Sequence, residues 1–65
     1  MNIFVNQKPM TVASGTSLSD LLRLADAKPP FAVAINKEFI PKGDYSQVTI
    51  NNDDHIEIIS PITGG

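Results

Sequence analysis

A single helical stripe of apolar residues limits the folds that are open to this sequence. Apolar side chains recur at i, i+3, i+4 and i+7, which is the spacing of one helix face. The stripe consists of Leu18, Leu21, Leu22 and Ala25. Thr16 or Ser17 can cap its start, and Pro29-Pro30 removes backbone donors at its end. We therefore predict one helix over residues 17–27, which is too short to bury its stripe without a sheet.

Short β-type runs flank this helix on both sides. The expected strands cover residues 3–5, 10–13, 31–36, 39–40 and 55–60, with a marginal one at 49–50. Turn-forming residues separate them at 6–9, 14–15, 36–38, 41–44 and 51–54. In the resulting order β-β-α-β-β-β, the first and last strands can lie side by side in the sheet centre. We therefore predict an α+β fold, the β-grasp or ubiquitin-like roll, with a mixed sheet of four to five strands and one helix packed across one face.

The small size of the chain restricts the chemistry it can perform. Its 65 residues are expected to form one domain over residues 1–60, followed by a short tail. Cysteine is absent, which excludes disulfides, thiolate zinc sites, iron–sulfur clusters and thiol nucleophiles. The apolar fraction of 42% and the charged fraction of 18% indicate a globular chain that is held together by packing alone.

The charge pattern argues against nucleic-acid and membrane ligands. The net charge is −2 and the five basic residues are scattered singly, whereas a nucleic-acid binder normally carries a basic stripe. No apolar run approaches the roughly 18 residues that span a bilayer. The first residues also lack the charged and apolar regions of a signal peptide. We therefore expect a cytoplasmic protein with no nucleic-acid and no membrane partner.

The candidates for catalysis or metal binding are weak. Asp53, Asp54 and His55 are adjacent, but isolated clusters of this kind usually form solvated turns. The sequence has no second histidine to complete a two-histidine site. The serines have no triad partner beyond His55, and they fit caps and turns. We therefore predict no metal site, no catalytic residue and no enzyme activity in this domain.

Strand alternation predicts an apolar surface on the sheet face away from the helix. The expected core partners of the helix are Ile3, Val5, Ile56 and Ile58. If Val33 and Ile35 also point inward, the opposite face consists of Phe4, Ala32, Ala34, Glu57 and Ile59. A small protein that exposes Phe and Ile together on a flat sheet usually keeps them for a partner. We therefore predict that this face docks a partner protein.

The chain ends in two glycines that a structural role does not explain. Pro61 ends the last strand, so residues 61–65 are expected to form a flexible tail. Because glycine has no Cβ, such an end can thread a narrow channel and present its carboxylate to another enzyme. Once adenylated, the unhindered acyl carbon of Gly65 becomes a good electrophile. We therefore predict that Gly65 is chemically modified, that Gly64 is required for access, and that Ile62-Thr63 acts as a tether.

Several short stretches along the whole chain form a recognisable set. They are Met1-Asn2-Ile3, Ala34-Ile35-Asn36, Ile40-Pro41-Lys42, Tyr45, Asp54-His55-Ile56 and Gly64-Gly65. Together they resemble the thiamine-biosynthesis sulfur carrier proteins, the ThiS family. That family commonly has Arg in place of Lys42, Trp in place of Tyr45 and Gly in place of Asp53. Aspartate tolerates the left-handed backbone that such a glycine would supply, at some cost.

The resemblance implies a carrier cycle in which the protein is a co-substrate without a bound cofactor. A ubiquitin-activating-type adenylating enzyme consumes ATP and adenylates the Gly65 carboxylate. A sulfur donor such as a cysteine desulfurase then supplies the sulfur that displaces AMP. The resulting thiocarboxylate delivers sulfur to a thiazole synthase, which builds the thiazole ring of thiamine.

Other functions remain open at the level of sequence. The small subunit of molybdopterin synthase shares the fold, tail and activation chemistry, but its members tend to be longer; the length and the Ala34-Ile35-Asn36 stretch favour the thiamine family. A carrier for transfer-RNA thiolation or another sulfur pathway is a further possibility. From a different class, a non-catalytic β-grasp binding module with an incidental Gly-Gly end would form no acyl-adenylate. An OB-type oligonucleotide binder fits least, because the sequence lacks a basic groove and an exposed aromatic platform.

Overall fold

A computed structural model describes residues 1–60 of the chain. The elements in this range are β1 (Asn2–Val5), β2 (Lys8–Thr11), α1 (Leu18–Leu24), β3 (Ala32–Ile35), β4 (Glu38–Ile40), a 3₁₀ helix (Lys42–Asp44) and β5 (His55–Ile59). The five strands form one sheet in the order β2-β1-β5-β3-β4. The predicted tail over 61–65 lies outside the described residues.

The first and last strands meet at the centre of the sheet. β1 and β5 are parallel, with Phe4 opposite His55 and Val5 opposite Ile56. The other neighbouring strands are antiparallel. A parallel pair cannot be joined by a tight turn, and here α1 and the β3–β4 hairpin lie between the two strands in the chain. The mixed five-stranded sheet with one helix confirms the predicted β-grasp fold.

Specific caps begin and end α1. Ser17 is extended, and its side-chain oxygen accepts a hydrogen bond from the backbone N–H of Asp20 at 3.1 Å. At the other end Asp26 is left-handed, with φ +55°. The N–H groups of Asp26 and Ala27 bond to carbonyls of the last turn at 3.1 and 3.0 Å, which is the Schellman pattern. The predicted helix over 17–27 is therefore too long, because the chain turns at Asp26 before it reaches the prolines.

The first hairpin is tighter than predicted. Its turn consists of Asn6-Gln7 alone, with φ +51° and +70°, the type I′ geometry that asparagine favours. β2 therefore begins at Lys8 and includes Pro9. Proline is tolerated here because β2 is an edge strand, where one backbone donor can be missing. The turn predicted over 6–9 and the strand predicted over 10–13 are both wrong by about two residues.

The second hairpin fixes the start of β5. Its turn is Asn36-Lys37, again type I′ with φ +52° and +70°. The Nδ2 group of Asn36 donates to Oδ1 of Asp54 at 3.0 Å, and its Oδ1 accepts from the backbone N–H of His55 at 3.0 Å. Asp54 is only 8% exposed, and its Oδ2 accepts from the N–H of Asn51 at 2.8 Å. The two side chains thus join the β3–β4 turn to the first residue of the central strand.

Asp53 occupies a backbone position that usually requires glycine. Its φ is +68°, and its N–H donates to the carbonyl of Asn2 at 2.7 Å. An aspartate therefore tolerates here the left-handed backbone that a glycine would adopt without strain.

The hydrophobic core lies between α1 and one face of the sheet. Its buried members are Ile3, Val12, Leu18, Leu21, Leu22, Val33, Ile35, Ile50 and Ile56. Val5 and Ile58 are partly buried against them, as predicted for inward-facing strand residues. Ala25 is only half-buried, so the helical stripe ends at Leu22, and Ala27 packs against the core beyond the helix.

Ile50, like Val12, is a core residue that the sequence pattern did not identify. Its exposure is 1%, and its N–H donates to the carbonyl of Thr16 at 2.9 Å. The marginal strand at 49–50 forms only an isolated bridge between Thr49 and Ser17. Burial of Ile50 and this single bridge, rather than a regular strand, therefore fix the segment.

Candidate functional site

One face of the sheet, which we call the open face, points away from the core. It consists of Phe4, Pro9, Ala32, Ala34, Phe39, His55, Glu57 and Ile59. The register of the strands places these residues in rows across the sheet. One row is Pro9, Phe4 and His55. The next row is Phe39, Ala34 and Glu57, and Ala32 faces Ile59 in the last row.

The five residues predicted for the docking surface all lie on the open face. Ala34 is opposite Glu57, and Ala32 is opposite Ile59. Their neighbour Val33 is 1% exposed and therefore points into the core, as the alternation requires. Their role in docking a partner stays a prediction.

Phe4 and His55 form an aromatic stack at the centre of the open face. Their ring centroids are 4.5 Å apart, and the ring planes differ by 21°. The pair spans the central parallel strands, and Asn36 holds the backbone of His55 through the bond described above. Phe4 is therefore half-buried under a neighbour and forms part of a fixed surface.

Sequence reasoning missed three members of the open face, Pro9, Phe39 and His55. Phe39 is 64% exposed and Ile59 is 53% exposed, so two large apolar side chains flank the face. Alternation within β4 could have identified Phe39, because the next residue, Ile40, packs against the core. His55 lies in the predicted strand 55–60 and precedes Glu57 by two residues on β5, so alternation from Glu57 could have placed it on the same face.

A shallow cavity of about 390 Å³ opens beside the aromatic stack. It is lined by Gln7, Asn36, Lys37, His55, Ile56 and Glu57. Gln7 comes from the first type I′ turn, and Asn36 and Lys37 come from the second. The other lining residues belong to β5. The open face thus combines a flat apolar area with a shallow depression whose lining includes Glu57.

The predicted modification site, Gly65, lies outside the described residues, as do the predicted access residue Gly64 and the tether Ile62-Thr63. The structure does place the point from which they continue. Ile59 is the last residue of β5 and belongs to the open face. Gly65 follows Ser60 by five residues, which in extended form reach at most about 18 Å.

Within residues 1–60 no group of three or more His, Asp or Glu side chains is arranged to hold a metal ion. Both carboxylate oxygens of Asp54 accept hydrogen bonds from Asn36 and Asn51, which assigns this residue a structural task. No helix in the same range is long and apolar enough to cross a membrane.

The fold, the open apolar face and the Gly-Gly sequence after the central strand define a ubiquitin-like β-grasp protein. Comparison with known proteins identifies the group within this class. The profile of the ThiS family matches residues 3–65. The chain belongs to the ThiS family.

Individual relatives agree with this assignment. The sulfur carrier protein ThiS of Escherichia coli is 30% identical, with 100% of both chains covered. The crystal structure of the thiamine biosynthesis protein ThiS from Geobacter metallireducens has a TM-score of 0.86 at 28% identity, again with 100% of both chains covered. A protein named thiazole synthase from Magnetococcus marinus is 38% identical over 66 residues. The chain spans only 20% of the length of that protein.

Proposed function

We propose that this protein carries sulfur for thiazole formation in thiamine biosynthesis, as a thiocarboxylate on Gly65. The observation that carries the proposal is the match to a named sulfur carrier along the full length of both chains. The structural likeness to a thiamine biosynthesis protein and the family match, which extends to Gly65, support it. These matches favour the thiamine pathway over molybdopterin synthesis and over transfer-RNA thiolation.

The chemistry takes place on the carboxylate of Gly65. A ubiquitin-activating-type adenylating enzyme joins this carboxylate to the AMP portion of ATP, and pyrophosphate leaves. A sulfur donor, for which a cysteine desulfurase is the expected source, supplies a persulfide whose outer sulfur displaces AMP; a thiol reductant then cleaves the resulting acyl disulfide and leaves the thiocarboxylate. The carrier itself supplies no catalytic group and is a co-substrate in this scheme. ATP is consumed by its partner, and the cytoplasm is the compartment in which we expect the cycle to operate.

A thiazole synthase is the proposed acceptor of the sulfur. The relative from Magnetococcus marinus bears that name and contains a segment similar to the whole of this chain. A carrier-like segment within such a protein supports a functional link between the two activities.

The open face is the proposed docking surface for the adenylating enzyme. An active site that reaches Gly65 must lie within about 18 Å of Ser60, because five residues extend no further. The enzyme must therefore approach the end of β5, where Ile59 is exposed. Phe4, Ala32, Ala34 and Glu57 continue the same face inward from that point.

Acyl-adenylate formation tests the proposed function. The protein should release pyrophosphate from ATP in the presence of its adenylating enzyme, and deletion of Gly65 should abolish the release. A plain β-grasp binding module would release none in either form. Loss of the gene should create a requirement for thiamine, whereas a requirement for molybdopterin instead would identify the alternative carrier.

A further inference from the structure

Glu57 places a charge in the middle of the open face. It lies on β5, the third of five strands in the sheet, directly opposite Ala34. His55 and Ile59 are its neighbours along the same strand face. The methyl group of Ala34 is too small to cover a glutamate, and the side chain is exposed.

The carboxylate of Glu57 has no ion pair within residues 1–60. The ion pairs in this range join Arg23 to Asp20 and Lys28 to Asp26. These four residues lie in α1 or in the segment that follows it, and none of them is on β5. Lys37 lines the same cavity as Glu57 but forms no ion pair with it. Water therefore solvates this carboxylate in the free protein.

A partner that covers the open face removes that water. Phe4, Phe39 and Ile59 lie on the same face as Glu57, so a partner complementary to this face brings apolar atoms close to the carboxylate. Burial of a charge is costly unless a group of opposite charge pairs with it. The cost would cancel much of what the apolar contacts contribute to binding.

We propose that the adenylating enzyme that acts on Gly65 covers the open face and pairs Glu57 with an arginine or lysine of its own. This inference rests on the proposed function. The adenylating enzyme is assigned to the open face because Gly65 lies within about 18 Å of Ser60, so an enzyme that acts on Gly65 must bind near the end of β5. Arginine fits better, because its planar guanidinium can bind a carboxylate with two parallel hydrogen bonds. The pair makes Glu57 a specificity determinant, since an enzyme without the basic residue is penalised for covering the face.

Binding of the adenylating enzyme from the same organism tests the pair. Glu57→Gln keeps the shape of the side chain and removes its charge, and Glu57→Lys reverses the charge. Glu38→Gln is the matched control, because Glu38 is exposed on β4 but lies opposite the buried Ile35, on the other side of the sheet. Dissociation constants are measured by titration calorimetry at low and high salt, after thermal melting has confirmed that each variant is folded.

Glu57→Gln should weaken binding about tenfold or more and flatten its salt dependence, and Glu57→Lys should weaken it further. Glu38→Gln should bind like the wild type. Substitution of one arginine or lysine of the enzyme by glutamate should restore binding to Glu57→Lys and not to Glu57→Gln. Wild-type affinity and salt dependence in Glu57→Gln would overturn the proposal, as would failure of every such charge reversal to restore binding.

Failure of this inference is distinguishable from failure of the proposed function. If the wild-type protein releases pyrophosphate with the enzyme and Glu57→Gln binds equally well, only the ion pair is refuted. If the wild-type protein releases no pyrophosphate, the carrier function itself is refuted.

Discussion

Asn36 and Asp54 are joined by a hydrogen bond of 3.0 Å between the β3–β4 turn and the residue that precedes β5. The bond connects an exposed turn to a carboxylate that is 8% exposed, and the same asparagine also holds the N–H of His55. The link holds the start of the central strand, in addition to its pairing with β1 and β3.

Asn36→Gly should destabilise the protein by about 2 kcal/mol, because it leaves a buried carboxylate oxygen and a backbone N–H without their partner. Glycine accepts the left-handed backbone of the turn, and the freedom it adds to the unfolded chain is the same in the control variant. Asn6→Gly is the matched control, since it changes the same position of the other type I′ turn and removes one exposed bond to the N–H of Ile58. Urea unfolding measures both variants. Equal losses in the two would contradict the role given to Asp54.

Asp53→Gly should stabilise the protein by roughly 0.5–1 kcal/mol. The left-handed φ of +68° strains a side chain and costs glycine nothing, although the glycine variant gains some freedom when unfolded. The hydrogen bond from this N–H to the carbonyl of Asn2 is a backbone bond and is retained. The melting temperature should rise by a few degrees for a domain of this size. A lower melting temperature in the glycine variant would show that the aspartate side chain stabilises the turn.

Phe4→Ala should weaken binding to the adenylating enzyme by about tenfold or more, because it removes a fixed aromatic side chain from the centre of the proposed interface. The matched control is Leu24→Ala, which removes an apolar side chain that is 63% exposed on α1. Surface plasmon resonance against the immobilised enzyme compares the two variants with the wild type. If Leu24→Ala weakens binding and Phe4→Ala does not, the adenylating enzyme binds the helix side of the protein and the proposed interface on the open face is wrong.

Ile59→Asp tests the part of the open face that is nearest to Gly65. Ile59 is 53% exposed, so the substitution should leave the fold intact while adding a second negative charge beside Glu57. Binding to the enzyme should fall, and the wild-type circular dichroism spectrum should be retained. Unchanged affinity in this variant would exclude the end of β5 from the interface.

The parts of the fold that follow from periodicity could be predicted from sequence. The spacing of Leu18, Leu21 and Leu22 identified the helix, and alternation placed Phe4 and Ile59 on the face away from it. These patterns are set by the geometry of the elements themselves. Helical spacing and strand alternation therefore remain valid predictors even where the loops between the elements are not predicted.

Features that depend on single backbone conformations could not be predicted in the same way. The helix ends at Leu24 because Asp26, just beyond it, occupies the left-handed position where glycine is usual, and an aspartate there is a weak stop signal in the sequence. Pro9 resembles a turn residue but lies in an edge strand. Ile50 is buried by tertiary contacts in a segment with little strand pattern of its own.

Gly64→Ala should impair adenylation without changing stability. The added methyl group obstructs a channel that admits only backbone, and it narrows the conformations available to the end of the chain. Pyrophosphate release and thermal melting together measure the two effects. Full activity in this variant would show that the channel accepts a side chain at position 64.

The most direct test of the carrier function is the intact mass of the protein after incubation with the adenylating enzyme, ATP and a sulfur donor. The wild-type protein should gain the mass difference between one sulfur and one oxygen, because the Gly65 carboxylate becomes a thiocarboxylate. A variant that lacks Gly65 should keep its original mass and its melting temperature. If that variant gains the same mass as the wild type, Gly65 is not the site that carries sulfur and the proposed function is wrong.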